Sequence, residues 1–422
     1  MSERKIIAGC TLVTPLGNNA RKGEEMKDLK VLHDAFIFIE DGVIKATGLM
    51  KDIEVLGLSG TAEWLDVKGR VVLPGFVDSH THLVFGGFRP DEFSWRLKGD
   101  SYMSIMERGG GIQSTVNATR EASLESLVEK GEWFIGRMVE MGVTTVEAKS
   151  GYGLDTETEI RMLEAVRKLA ENPDRKLDIV TTFLGAHAVP KEYKGRTGDY
   201  CDLIINDMLP KVKDKAKFFD IFTEKNVFEI EDSRRLLKAA REAGMKLKLH
   251  ADEIVQLGGA ELAAEMGAIS ADHLLHVSDE GIRQMAEHDV VATLLPLTAF
   301  ALKEPFAPAR KFIDGGCAVA LATDLNPGSC FSGSIPLTIA LACIYMGMSV
   351  EEVITALTIN GAAAVDMADT IGTLEPGKQA NIVILEFDNY NFLPYYVGMN
   401  CVHSTIWNGK TVYESKSEFL KS

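Results

Sequence analysis

The chain carries, between residues 71 and 83, the stretch VVLPGFVDSHTHL. Its first half is apolar and β-branched, which predicts one buried strand over residues 71–77 that Pro74-Gly75 interrupts only briefly. Residues two apart on a strand share a face, so His80 and His82 are expected to point the same way where the strand ends. Two imidazoles on one rigid element form half of a metal site, although an isolated H-x-H motif is a weak signal.

The segment that follows alternates between strands and helices. Apolar β runs are separated mostly by stretches of helical periodicity, such as ETEIRMLEAVRKLAE at residues 157–171. The predicted strands are 71–77, 143–148, 179–184, 218–222, 247–250, 269–271, 290–295 and 318–322. Eight β/α units predict an α/β fold, a closed (β/α)8 TIM-like barrel. A doubly wound open sheet is the alternative, but no Gly-rich phosphate motif follows the first strand.

Both ends of the chain have the pattern of short strands. The dipeptides Asp41-Gly42 and Asn408-Gly409 each join two β runs and are strong signals for hairpin turns. We therefore expect a small β-sandwich domain built from residues 1–70 and 370–422, with the barrel over residues 71–369.

Composition limits the partners. With 45 basic and 61 acidic residues the net charge is −16, and no dense Lys/Arg stripe is present, which disfavours nucleic acid as a partner. A binding site for an anionic small molecule would therefore need a cationic side chain of its own. The six cysteines form no C-x-x-C pair, the N-terminus lacks a secretory signal, and the apolar run 335–348 is too short to cross a bilayer. A cytoplasmic location without a membrane partner is expected.

The nine histidines are distributed unevenly. Chemistry in a β/α barrel takes place where strands end and βα loops begin. The histidines at predicted strand ends are His80, His82, His187, His250 and His273. The others, interpreted as structural or surface residues, are His33, His276, His288 and His403.

Asp324 follows the eighth predicted strand in the sequence ALATDLNPGS. A carboxylate there could cap a helix, but opposite three histidines it completes a metal site. His80, His82, His250 and Asp324 would supply three nitrogen ligands and one oxygen ligand, with room for water. Such a set suits one Zn or Fe ion, and a water on the ion would have a pKa of around 7.

Motifs along nearly the whole chain resemble a known family. PGFVDSHTHL, HADE, SADHL, ATDLNPGS and GTLEPGKQANIVIL are similar to the amidohydrolase superfamily. More narrowly, HLVFGGFRPDEF, GGGIQSTV, EAKSGYGL, FLGAHAVP and HADEI resemble the imidazolonepropionase family of histidine degradation. The resemblance implies hydrolysis of the ring amide of 4-imidazolone-5-propanoate to N-formimino-L-glutamate, by a homodimer.

The resemblance also implies substrate contacts. Arg89 on the first βα loop would hold the propanoate carboxylate, where the alternative is a solvated charge. Tyr152 would close over the ring, and His187 would bond the carbonyl or the tail. The expected substrate-binding residues are Arg89, Tyr152, His187, Glu253, Asn326, Gly328 and Ser329. For the last three the alternative is an ordinary Pro-Gly turn.

The catalytic residues expected on the same basis are His273, Asp324 and Glu253. Asp324 and His273 would orient or deprotonate the attacking water, and Glu253 or Asp324 would protonate the leaving nitrogen. Binuclear relatives carry a lysine at the end of strand four, whereas Lys225 falls after Glu224 here and Lys149 lies on strand two, so one ion is predicted. The alternatives are an aminohydrolase that removes ammonia from a nitrogen heterocycle, and a non-enzymatic scaffold.

Overall fold

The computed structural model describes residues 3–55, 57, 62–100, 108 and 110–416. The strands are β1 Arg4–Thr14, β2 Lys30–Glu40, β3 Val43–Leu49, β4 Glu63–Asp66, β5 Val71–Pro74, β6 Phe76–Asp78, β7 Val143–Lys149, β8 Asp178–Ala186, β9 Phe218–Thr223, β10 Lys246–Ala251, β11 Ser270–His273, β12 Val291–Leu294, β13 Val319–Leu321, β14 Ile382–Leu385, β15 Val402–Trp407 and β16 Lys410–Glu414. The α-helices are α1 Pro90–Leu97, α2 Ile112–Glu121, α3 Leu124–Glu140, α4 Thr156–Glu171, α5 Thr197–Leu203, α6 Leu209–Val212, α7 Ile230–Glu242, α8 Gly259–Met266, α9 Asp279–Glu287, α10 Pro296–Leu302, α11 Ala309–Asp314, α12 Ile335–Ile344, α13 Val350–Leu357, α14 Ile359–Ala364 and α15 Phe392–Tyr395.

Strands β6 to β13 form the barrel. They pair in sequence order, and every pairing is parallel. The first and last strands meet just beyond their ends, where Thr81 bridges Leu325 and the Asp324 amide donates to the His80 carbonyl at 3.0 Å. The predicted closed (β/α)8 barrel is confirmed, and the doubly wound open sheet is wrong.

The predicted first strand, residues 71–77, is in fact two strands in two sheets. β5 pairs with β1 and β14 of the terminal sheet, and only β6 belongs to the barrel. Gly75 marks the crossing, because a Cβ there would lie 2.1 Å from the Thr144 hydroxyl. The chain can pass this close to β7 only without a side chain.

The two ends of the chain build one sheet, with strand order β16-β15-β14-β5-β1-β2-β3 and with β4 paired to β1. The sheet curls back on itself, because the Ile44 amide donates to the Lys378 carbonyl at 2.9 Å and the Gly377 amide to the Ile44 carbonyl at 2.8 Å. Both predicted hairpins are present, β2–β3 at Asp41-Gly42 and β15–β16 at Asn408-Gly409. The β sheet expected from both termini is thus confirmed, and the domain bounds 1–70 and 370–422 stay a prediction.

Helices cover the barrel. Ser123 caps α3 and Asp155 caps α4, each accepting a backbone N–H three residues on, and their apolar faces are buried. The apolar α12 is a largely buried helix. Among the described residues no helix is long and apolar enough to cross a membrane. All six cysteines are free.

Candidate metal centre and active site

The barrel brings five predicted site residues to the face where its strands end. His80 and His82 follow β6, and Asp324 follows β13. His250 is the last residue but one of β10, and His273 ends β11. All five are buried. Because all barrel strands are parallel, closure of the barrel brings their carboxyl ends, and these side chains, together at one face.

Four of these residues, which we call the ligand cluster, face one another: His80, His82, His250 and Asp324. The Asp324 Oδ1 lies 3.5 Å from Nε2 of His80 and 3.5 Å from Nε2 of His82. The two Nε2 atoms of His82 and His250 are also 3.5 Å apart. Three nitrogens and one oxygen thus converge from three separate strand ends.

Carboxylates behind the cluster fix two of its imidazoles. The His80 Nδ1 donates to Asp272 at 2.6 Å, and the His250 Nδ1 lies 3.0 Å from Asp220. A proton on Nδ1 leaves the Nε2 lone pair free, which is the tautomer that binds a metal through Nε2. Asp324 is held in turn, because its Oδ2 accepts from the Thr298 hydroxyl at 2.6 Å.

The ligand cluster is suited to a cation. The His80 Nε2 and the Asp324 Oδ1 are buried without a hydrogen-bond partner. Burial lowers the pKa of both His80 and His82, so their rings are neutral at pH 7 and offer lone pairs. Asp324 has φ of +52°, a left-handed conformation rare outside glycine, which is typical of functional positions. A Zn or Fe ion would fit this donor set.

A cavity of about 420 Å³ opens over the cluster, and Arg89 reaches into it. The Arg89 Nε donates to the Pro327 carbonyl at 3.4 Å, and its NH1 lies 3.8 Å from Glu92. The tip of the guanidinium packs against the loop after β13, since a Cβ on Gly328 would be 1.3 Å from its Nη2. The cavity therefore contains a fixed cation on an otherwise acidic protein.

Two predicted ring contacts line the same cavity. Tyr152 is buried, and burial raises the pKa of its phenol, so the hydroxyl stays protonated and can donate. The His187 ring stacks on His82 with centroids 4.8 Å apart, and its Nδ1 lies 3.1 Å from the Gly151 carbonyl.

The hydrogen bond of His187 changes its expected role. Burial lowers its pKa to about 3, so the ring is neutral, and donation from Nδ1 leaves Nε2 as an acceptor. An acceptor cannot bond a carbonyl oxygen or a carboxylate. A ring N–H of a ligand fits it instead.

Glu253 and His273 lie together on one side of the cavity. The His273 Nε2 lies 3.5 Å from the Glu253 Oε2. Burial raises the pKa of Glu253 to about 8 and lowers the pKa of His273. At neutral pH the pair is a protonated carboxyl beside a neutral imidazole. His273 has φ of +77°, so the backbone is strained at this position too.

Asn326 builds the loop beside Asp324 instead of pointing free groups at the cavity. Its Oδ1 accepts from the amides of Gly328 and Ser329, both at 2.8 Å, and its Nδ2 donates to the Asp324 carbonyl at 2.8 Å. The expected direct contact of this amide therefore stays a prediction, whereas its role in shaping the loop is visible.

Some residues of the site were not predicted. His276, interpreted above as structural or surface, lines the cavity together with Arg96 and Phe222. Glu147, Lys149, Asp220, Lys248 and Asp272 lie fully buried beneath the cluster. Charged residues inside apolar strands were the available signal, because an isolated charge is not tolerated in a barrel interior.

Lys225 is exposed, so no lysine follows β9 into the centre.

Comparison with known proteins gives the family. Residues 71–412 match the model of the amidohydrolase family. An imidazolonepropionase of Phocaeicola vulgatus is 60% identical over 417 residues, covering 98% of this chain and 100% of the relative. An imidazolonepropionase of Clostridium tetani is 55% identical over 405 residues, 96% of each chain. The chain belongs to the imidazolonepropionase family of amidohydrolases.

Solved structures support the same fold at greater distance. A 5-methylcytosine deaminase from Klebsiella pneumoniae, liganded with 5-fluorocytosine, has a TM-score of 0.74, 17% identity and 99% coverage of both chains. An E. coli guanine deaminase has a TM-score of 0.69 and 16% identity over 98% of this chain and 99% of its own. At these identities the likeness shows the barrel fold alone.

Proposed function

We propose that this imidazolonepropionase family member hydrolyses the ring amide of 4-imidazolone-5-propanoate to N-formimino-L-glutamate in histidine degradation. One observation carries the proposal: a single cavity is lined by Arg89 and by three members of the ligand cluster, His82, His250 and Asp324. The substrate has a matching pair of features, an amide carbonyl in a planar ring and a carboxylate on a short tail.

Recognition is assigned by charge and by hydrogen-bonding role. Arg89 takes the propanoate, because its planar fork matches a carboxylate. The His187 Nε2 accepts a ring N–H, and the Tyr152 hydroxyl donates to the ring. The Ser329 hydroxyl, presented by the Asn326-braced loop, completes the tail site. A net charge of −16 gives no general attraction for an anion, so Arg89 is decisive.

One Zn or Fe ion held by His80, His82, His250 and Asp324 would supply Lewis acidity and a water of lowered pKa. In the reaction, the oxygen of water bonds the carbonyl carbon, the ring C–N bond breaks, and the nitrogen gains a proton. Asp324, with a pKa raised by burial to about 6, is ionised at neutral pH and accepts the proton of the attacking water.

Glu253 returns a proton to the leaving nitrogen. Its pKa of about 8 keeps the carboxyl protonated at neutral pH, which suits a general acid. His273 stands beside it and bonds the oxygen that becomes negative during attack. These roles are assigned from the position and protonation of each group.

The decisive experiment combines metal analysis with turnover of 4-imidazolone-5-propanoate, followed by loss of its absorbance. Wild type should contain one Zn or Fe per chain and consume the substrate, and Arg89→Met should keep the metal while KM rises. Metal-loaded protein that leaves the substrate intact but releases ammonia from guanine or cytosine would instead establish an aminohydrolase. Two metal equivalents would refute the single-ion assignment.

The expected homodimer and cytoplasmic location belong to the same proposal. Six free cysteines, most of them buried, are consistent with a reducing compartment. Light scattering on the purified protein tests the dimer, and fractionation of the source cells tests the location.

A further inference from the structure

Five fully buried charged residues, here called the buried charge cluster, lie beneath the ligand cluster. They are Glu147, Lys149, Asp220, Lys248 and Asp272, and each has zero exposure. They come from β7, β9, β10 and β11, the strands in the middle of the barrel sheet. Charged side chains without solvent access need partners of opposite charge, since an uncompensated charge is strongly destabilising in a barrel interior.

Lys149 is at the centre of this cluster. Its ammonium lies 2.7 Å from Asp220, 2.9 Å from Glu147 and 3.8 Å from Asp272. Burial opposes the charge, but these carboxylates outweigh it and raise the pKa of Lys149. The residue is therefore a permanent cation in contact with three carboxylates.

Lys248 provides a second ammonium, which faces two of the same carboxylates. It lies 3.4 Å from Glu147 and 3.7 Å from Asp272, and donates to the backbone carbonyls of Ser79 at 3.0 Å and Ala364 at 3.2 Å. Ser79 directly precedes the first histidine of the ligand cluster. The lysine thus ties the start of the H-x-H segment to the carboxylates below it.

Two carboxylates connect the two clusters. Asp272 accepts from His80 at 2.6 Å, and Asp220 lies 3.0 Å from the Nδ1 of His250. In each carboxylate the same oxygen, Oδ2, thus faces both an imidazole and an ammonium. Removing an ammonium would loosen the carboxylate, and the imidazole ring would lose part of its fixed orientation.

We propose that Lys149 and Lys248 are positioning residues of the metal centre, which hold Asp220 and Asp272 against His250 and His80 and so fix two ligand rings. The inference rests on the metal site of the proposed function, but on no particular substrate.

The test is the affinity of the purified apoprotein for Zn²⁺, measured by chelator competition, with the visible spectrum of the Co²⁺ form as a second readout. Lys149→Met should weaken Zn²⁺ binding by roughly 10- to 100-fold, the range found when groups behind metal ligands are lost. It should also alter the Co²⁺ spectrum. Lys5→Met is the matched control, because Lys5 is a buried lysine of the terminal sheet, where its ammonium bonds the Gly409 carbonyl at 3.2 Å and lies 3.8 Å from Glu63.

A second variant separates positioning from folding. Lys149→Met with Glu147→Gln removes one charge of each sign, so it should melt near wild type while Zn²⁺ affinity stays weak. Folded variants with wild-type affinity and spectrum would overturn the proposal. So would failure of both variants to fold, because the lysine would then support the barrel and not the centre. Wild type that binds Zn²⁺ but leaves 4-imidazolone-5-propanoate intact would refute the proposed function and leave this test valid.

Discussion

Replacing Gly328 with alanine tests whether the loop after β13 sets the position of Arg89. The new Cβ would lie 1.3 Å from the Arg89 NH2 and 2.6 Å from its Cζ, so the guanidinium must move. Gly328 does not have the positive φ that would make alanine strained. The displaced group is the far end of a flexible side chain, so stability should change by only about 0.5 kcal/mol.

We expect the loss of substrate binding to be much larger than this change in stability. A charge-assisted hydrogen bond contributes about 1.5–3 kcal/mol. Its loss predicts a fall in kcat/KM of roughly 10- to 150-fold, carried mainly by KM because the carboxylate contact is remote from the reacting bond. Steady-state kinetics on 4-imidazolone-5-propanoate, together with a melting curve, measure both effects.

A double-mutant cycle with Arg89→Met gives the sharpest control. If the alanine acts by displacing the guanidinium, adding it to Arg89→Met should change kcat/KM little further. Fully additive losses, or an unchanged KM in Gly328→Ala alone, would refute the link between this glycine and the arginine.

Three further predictions concern the chemistry and its support. His273→Ala should lower kcat by on the order of 10²–10⁴ with metal content unchanged, and wild-type kcat would remove this residue from the reaction. Burial raises the pKa of Glu253 to about 8, so its proton is present below that pH and lost above it. We therefore expect kcat/KM to fall as pH rises through about 8, and Glu253→Gln should remove this fall from the pH profile. Thr298→Val removes the 2.6 Å hydrogen bond to Asp324 and should weaken Zn²⁺ binding by roughly 10- to 100-fold. Thr293→Val is its control, because that buried hydroxyl has no partner, and equal losses in both would refute the role of Thr298.

The histidine protonation states show how the site depends on its surroundings. Burial lowers the pKa of His187 to about 3, while Asp220 outweighs burial and raises the pKa of His250. These rings have the same chemistry and lie within 5.8 Å of each other by centroid. Only the neighbours beyond them differ, and these neighbours come from separate strands.

Much of this protein was determined by local sequence. Apolar runs with alternating helices predicted the barrel, because each strand must be buried on both faces. The same runs placed His80, His82, His250 and Asp324 at strand ends, where a parallel barrel brings side chains together. Family motifs then supplied Arg89.

The tertiary structure determined the features that depend on contacts between residues of different strands. The split of residues 71–77 between two sheets follows from pairing with β1 and β14, which no local pattern contains. The acceptor role of His187 depends on the Gly151 carbonyl. The sequence alone shows Lys149 only as a lysine on strand two, where it cannot take the place of the strand-four lysine of binuclear relatives. The contacts of Lys149 with Asp220 and Glu147 arise because the closed barrel shields interior charges from water, so each charge needs a partner of opposite sign.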